Sequence, residues 1–333
     1  MIGLQGSLRV KPVKFGRPPI RRFMTLVAAV RSDAGIAIAA DAQETVGDCR
    51  RAVQKIQART LGGVQFLIAG SGHADLIDSF ILRMERVMLG ADVSTLQEFV
   101  SLVETELYDF YLTDVAWCPD QDKSMRLVIG AAVEKTEECD VWVSKGIRIH
   151  SIGAYGLVGW DDTMYHGVIQ RLVFPAISLA QATLAALYVI GTAKETSNYV
   201  GGDVSMALVL PKAIWPEPPE YVKEMETRLK DYEREVSPIL LACADTGLSA
   251  DELSERLGTF ATAVSDLHLK HIKQVIRRDL LPREHAYAKV PMGIYYSAGH
   301  GDIIMMQTAI NDTPLTQPEQ LKPSASQKSE DQQ

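Results

Sequence analysis

The chain has 333 residues, 47% of them apolar and 23% charged, enough to bury a sizeable core in one large or two ordinary domains. A net charge of −8 and a pI near 5.5 exclude the basic face that nucleic acid selects. No run approaches the ~18 continuous apolar residues of a membrane helix. The four cysteines (Cys49, Cys118, Cys139 and Cys243) form no CxxC pair and no regular spacing. They point to reduced thiols in a cytoplasmic protein and away from a disulfide framework or zinc site.

Residues 1–24 stand apart, with Arg9, Lys11, Lys14, Arg17, Arg21 and Arg22 balanced by no acid. Four readings are open: a signal peptide, which the short apolar run at 23–30 fits poorly; a transit peptide without an amphipathic helix; a cleaved propeptide; and an upstream extension of a protein that starts at Met24. Small and β-branched residues then predict a hairpin of strands 25–31 and 35–41. A three-residue loop, 32–34, places Arg31 across from Gly35 and Thr25 across from Asp41. Residues 42–52 read as a polar loop. Strands are expected at 52–58 and 63–69, with a glycine-rich turn at 70–75 opening a helix at 74–89. Ser94 and Glu98 suggest a capping box for a second helix to Leu112. Strands at 126–133, 141–144 and 147–152 precede helices at 161–173 and 179–195, and a last strand at 204–210. Helices arriving in pairs between blocks of strands suit two stacked antiparallel sheets with helices outside both. Pro211 and the stretch Ile214-Trp-Pro-Glu-Pro-Pro219 mark a boundary, followed by helical segments at 220–235 and 250–278 and a short strand at 292–297. From Asn311 the composition turns to Pro, Gln, Ser and Lys, as in a disordered tail. The expected organisation is a leader or over-called start at 1–24, a main domain at 25–212, a mainly helical extension at 213–312 and a disordered tail at 313–333.

The candidate chemistry lies in the first hairpin. A threonine hydroxyl is a weak nucleophile until a base takes its proton, and an N-terminal threonine carries that base as its own α-amine, with a pKa of about 7.7–8. Methionine is trimmed readily ahead of a small residue, so Met24-Thr25 supplies such a terminus. Thr25, the strand end Ile38-Ala-Ala-Asp41, Thr45, Val53-Gln-Lys-Ile56 and Ile68-Ala-Gly-Ser-Gly72 resemble the proteasome β-subunit family of N-terminal-nucleophile (Ntn) hydrolases. With its long C-terminal extension, the chain resembles the bacterial Anbu-type members more than a 20S subunit. The resemblance covers 25–210 and implies a four-layer αββα sandwich of two antiparallel sheets, an α+β fold. It implies that Thr25 is nucleophile and base, that Lys55 is the activating cation and that Asp41 orients Lys55. Gly70 would donate to an oxyanion, with Gly72 in the same turn, and Thr45 would bind the substrate backbone.

One interval and three positions depart from the family pattern. The interval from Asp41 to Lys55 is two residues short. Ala154 aligns with the family's downstream serine, and Ser197 and Val200 stand where it has an aspartate and a serine. Ser151, Ser197 and Asp203 are possible substitutes. Elsewhere, His268 and His271 lie three apart on a helix without a third ligand, Asp161-Asp162 suits a helix cap, and His73 suits a surface or a pocket wall. The resemblance implies a peptide or protein substrate, a homo-oligomer of rings or stacked rings and room for an ATPase partner. It calls for no cofactor, metal, nucleic acid or membrane. Three functions remain open: hydrolysis of peptide or amide bonds through a Thr25 acyl-enzyme, transfer of that acyl group to an amine, and a catalytically inactive structural or binding subunit.

Overall fold

The computed structural model describes residues 25–280 except 47–48, 62, 120–122, 160–161, 243 and 246. The leader, the strand expected at 292–297 and the tail lie outside these residues. The chain is a four-layer α+β sandwich. One sheet has the order β10-β1-β2-β11-β12 and the other β5-β6-β7-β8-β9, all neighbours antiparallel.

The first hairpin pairs β1 (Leu26–Ser32) with β2 (Gly35–Asp41). Its turn is two residues long, not three: Ser32 pairs with Gly35 and Val27 with Ala40. The Ser32 hydroxyl donates to Gly35 O at 2.8 Å and accepts from Ala34 N at 3.3 Å, which closes the tighter loop. Gly35 has φ +150, and a Cβ there would lie 2.7 Å from Val209 O, so the turn needs glycine. This shifts the expected register by one residue. Leu26, not Thr25, comes opposite Asp41, and its N–H donates to Asp41 Oδ1 at 3.0 Å.

The polar stretch expected to be a loop forms a small ribbon, β3 (Gln43–Val46) with β4 (Cys49–Ala52). Gln43-Glu-Thr-Val46 and Cys49-Arg-Arg-Ala52 carry no apolar alternation, which is why hydrophobic patterning misses them. β5 (Ile56–Leu61) begins after Lys55, and β6 (Val64–Gly72) runs through the expected glycine turn, because β7 (Met125–Val133) pairs with it as far as Gly72. β8 (Glu138–Lys145) and β9 (Arg148–Ser151) complete that sheet. β10 (Tyr155–Gly159) and β12 (Ala213–Pro216), edge strands of five and four residues, were not expected; β11 (Val204–Leu210) was.

β1 and β2 are buried on both faces, and their two faces serve different layers. Val27, Ala29, Ile36 and Ile38 meet Leu67, Val128 and Val209 between the sheets. Leu26, Ala28, Ala37 and Ala39 face α3 (Asp162–Leu172) and α4 (Leu179–Thr196), where the alanines of α4 allow close helix-on-sheet packing. On the other side, α1 (Ala74–Gly90) and α2 (Leu96–Thr113) cover the second sheet with Phe80, Met84, Phe99 and Phe110. The capping box of α2 is Thr95 with Glu98, one residue later than expected, although Glu98 also accepts from Ser94 N at 2.8 Å.

Past the proline boundary, α5 (Pro219–Ala242) and α6 (Ala250–Leu280) form an antiparallel pair. Lys270 and Glu224 pair at 2.6 Å, and Tyr221 OH meets His271 Nδ1 at 2.6 Å. His271 Nε2 donates to Ala180 O at 2.9 Å, so both ring nitrogens serve packing. Val222, Met225 and Leu229 of α5 belong to the same apolar cluster as α4 and β1. Among the described residues no helix is long and apolar enough to cross a membrane. Met225 is fully buried, and Met225→Ala is expected to lower the stability of the main unfolding transition by about 2–5 kcal/mol in urea. An α5 that merely hung from the sandwich would leave that transition unchanged.

Candidate active site

Thr25 immediately precedes β1 and is only 7% exposed. It enters between the sheets, where the Ser71 hydroxyl of β6 donates to its carbonyl oxygen at 3.2 Å. On the other side Gly159 of β10 pairs with Leu26, and a Cβ at Gly159 would lie 2.3 Å from Thr25 O. β10 can approach Thr25 this closely only with glycine there.

Asp41, at the end of β2, is completely buried. An isolated carboxylate there would be very unfavourable, and the fold answers with four donors. Lys55 Nζ lies 3.0 Å from Oδ1, which also accepts Leu26 N at 3.0 Å. Oδ2 accepts Gly201 N at 3.1 Å and Gln43 N at 3.3 Å. Lys55 is itself buried and donates a second bond to Gln43 O. Burial pushes the Asp41 pKa up, against the Lys55 cation and the amides of Gly201 and Leu26. Burial likewise pulls Lys55 down from its ordinary 10.5, opposed by Asp41. The lysine therefore holds its proton less tightly than a surface lysine would.

Gly70 and Gly72 lie in the last three residues of β6. β5 stops where Ile56 pairs with Ala69, so among the described residues no strand pairs with Gly70–Gly72 on the β5 side. These three residues are buried, and Lys55 is the residue immediately ahead of β5. Packing is tight at Gly70 and demands glycine at Gly72. A Cβ at Gly70 would lie 2.9 Å from Ile77 Cδ1, and Gly72 has φ +120 with Ser124 O 2.0 Å from a Cβ. Thr45 is fixed by its backbone in β3, across from Arg50.

The expected supporting groups fall differently. Ala154 is at the far end of β1 from Thr25, accepting from Arg31 N at 2.9 Å. Ser151 is at that end too, bonded to Asp140 at 2.9 Å, so neither stands beside Thr25. Ser197 bonds Tyr199 N at 3.2 Å past the end of α4, and Val200 is buried in the core against that helix. Gly201, next in sequence, supplies the amide to Asp41. A Cβ at Gly201 would lie 2.4 Å from Gln43 Oε1, so the Gly-Gly pair was the available signal. Ser71 was legible too, since alternation on β6 puts it on the face of Ala69, toward the first sheet. The main-chain contribution of Gln43 leaves no mark in the sequence.

No family model and no curated protein matches the chain. Among solved structures, Anbu (ancestral beta-subunit) from Yersinia bercovieri matches with a TM-score of 0.55 at 16% identity, over 68% of this chain and 99% of its own. Anbu from Hyphomicrobium sp. strain MC1 matches at 0.52 and 14% identity, over 64% and 97%. The Anbu complex from Pseudomonas aeruginosa, solved as a helical assembly, matches at 0.51 and 16% identity, over 64% and 95%. At this identity the likeness is one of fold. The chain has the proteasome-related Ntn-hydrolase fold, and almost the whole of each of these structures has a counterpart in it.

Removing the lysine alone strands a buried carboxylate. Lys55→Met should cost about 3–5 kcal/mol in urea unfolding, and the double variant Asp41→Asn/Lys55→Met should recover most of that loss. Equal losses in the single and double variants would show that the pair is not a coupled unit.

Proposed function

We propose that the protein is a threonine hydrolase that cleaves peptide or amide bonds once Thr25 has become the first residue. The observation that carries this reading is the buried Lys55–Asp41 pair, formed at the strand that Thr25 opens and beside an unpaired edge of β6. In the proposed reaction the α-amine of Thr25 takes the proton from its own Oγ as that oxygen attacks the substrate carbonyl. Charge develops on the carbonyl oxygen, toward which Gly70 N–H donates. The C–N bond then breaks, the leaving amine takes the proton, and Thr25 holds the acyl group as an ester. Water, deprotonated by the same amine, releases the acid and restores the threonine. Lys55 lowers the cost of negative charge on Oγ, and Asp41 fixes the lysine in place.

Residues 25–212 carry this chemistry in the proposal, and Thr45 contacts the substrate backbone. The helical assembly of the Pseudomonas aeruginosa complex supports a homo-oligomer for this chain as well. The absence of a membrane-spanning helix among the described residues and the free thiols of Cys118 and Cys139 suit work in the cytoplasm. One observation favours the non-catalytic reading. Val200, which aligns with a serine of the family, carries no hydroxyl and is buried.

A threonine-directed β-lactone or epoxyketone distinguishes the two. The proposal predicts one adduct per chain, mapped to Thr25 and abolished by Thr25→Ala; a folded protein with no adduct supports the binding subunit. Hydrolysis should follow a bell-shaped pH profile. It rises as the α-amine loses its proton, at a pH of about 7–8, and falls as Lys55 loses its own. Because the Lys55 pKa is lowered, the alkaline fall belongs below 10.5, and Lys55→Arg should remove that limb from whatever activity remains.

A further inference from the structure

A threonine that begins a chain has lost the peptide bond on its N-terminal side, and chain ends fray unless they are tied down. Here the peptide group between Thr25 and Leu26 is gripped at both of its polar atoms. Its N–H donates to Asp41 Oδ1 at 3.0 Å, and its carbonyl oxygen accepts the Ser71 hydroxyl at 3.2 Å. Because a peptide group is planar, fixing both ends leaves Thr25 little freedom beyond ψ and χ1. Asp41 also holds Lys55, so one half of this clamp belongs to the ion pair. The other half is Ser71.

Ser71 is 6% exposed and stands in β6 between Gly70 and Gly72, on the face that Ala69 turns toward the first sheet. β7 fixes this strand end. Ser71 pairs with Arg126 and Gly72 with Met125, and His73 N donates to Ser124 O at 2.7 Å. Arg126 in turn reaches the strand beside Thr25. Its Nη1 donates to Gly159 O at 3.4 Å, and its Nη2 pairs with Asp162 at 2.7 Å. The Ser71 hydroxyl therefore joins an anchored strand end to the residue proposed as nucleophile. The family's downstream hydroxyls are missing at Ala154 and Val200, and a serine reaches Thr25 from the second sheet instead. We infer that Ser71 is a positioning residue for the reaction: its hydroxyl holds the carbonyl of Thr25 and so sets the nucleophile relative to Gly70 on the same strand end. This role presupposes Thr25 as the nucleophile.

The kinetics of Thr25 acylation in protein expressed from the full-length sequence test this role. A β-lactone acylates Oγ as its ring C–O bond breaks, and the ring oxygen takes the proton that Oγ gives up. Rates against lactone concentration separate binding, KI, from the maximal rate of bond formation, kinact. Ser71→Ala should lower kinact about three- to tenfold and leave KI within about twofold, because alignment is lost and no contact to the lactone is. Ser71→Thr keeps the hydroxyl and should bring kinact back to within about twofold of wild type. Ser71→Cys, close to serine in shape but a weak donor, should be as slow as Ser71→Ala. A serine that only filled space or steadied the fold would give neither the split nor the rescue; circular dichroism supplies the folded fraction of each variant. The role is overturned if Ser71→Ala acylates as fast as wild type, if its loss falls on KI alone, or if Ser71→Cys keeps the full rate. In those three cases the wild type still takes its adduct at Thr25, and the hydrolase reading stands. A folded wild-type chain that takes no adduct at Thr25 overturns both.

Discussion

The buried carboxylate of Asp41 is the constraint on which this structure turns. Its four donors come from four separate parts of the chain: the first residue of β1, the first residue of β3, the residue ahead of β5 and the turn ahead of β11. A charge removed from water must be met on all its lone pairs, and here meeting them joins both sheets at one end of the sandwich. Lys55 is held from two sides, by Asp41 and by Gln43 O, so its position is set as firmly as that of the strands. A buried ion pair adds little to stability compared with well-packed apolar residues. What this pair does is tie the residue ahead of β5 to the end of β2 and the start of β3.

That position also depends on what is left out. Gly159 lets β10 come close to Thr25, Gly70 lets α1 press on β6, and Gly201 leaves room for Gln43. Each missing side chain removes an obstacle between segments far apart in sequence. The other end of the sandwich is built differently. There Arg31 collects Asp140, Ser151 and the carbonyls of Ile152 and Gly153, an arrangement that closes the hairpin tip against β8 and β9. The two ends of β1 thus separate a site from a seam.

Much of this architecture is legible in the sequence. The apolar runs of β1, β2, β6, β7 and β11, and the long amphipathic helices, carry periodicities that burial imposes. So the layers, and the partnership of Asp41 with Lys55, could be foreseen from pattern and resemblance together. What escaped was local. Turn length decides register, and a serine side chain bonded into the turn shortened the hairpin by one residue. The polar ribbon and the short edge strands β10 and β12 leave weak patterns or none. Ala154, which aligns with the family's downstream serine, lies at the hairpin end of β1, and antiparallel pairing brings the other end of β10, Gly159, to Leu26 instead. Contacts made by backbone amides, such as those of Gly201 and Gln43, belong to tertiary structure and have no side-chain signature.

The account makes one demand that geometry inside the folded chain does not meet: Thr25 needs a free α-amine to act as its own base. The most direct measurement is therefore the identity of the first residue, read by N-terminal sequencing and intact mass on protein expressed from the full-length sequence. The account predicts a chain that begins at Thr25 with an unblocked amine. A purified, folded protein that keeps Met24, or any residue ahead of it, while still hydrolysing its substrate would contradict it.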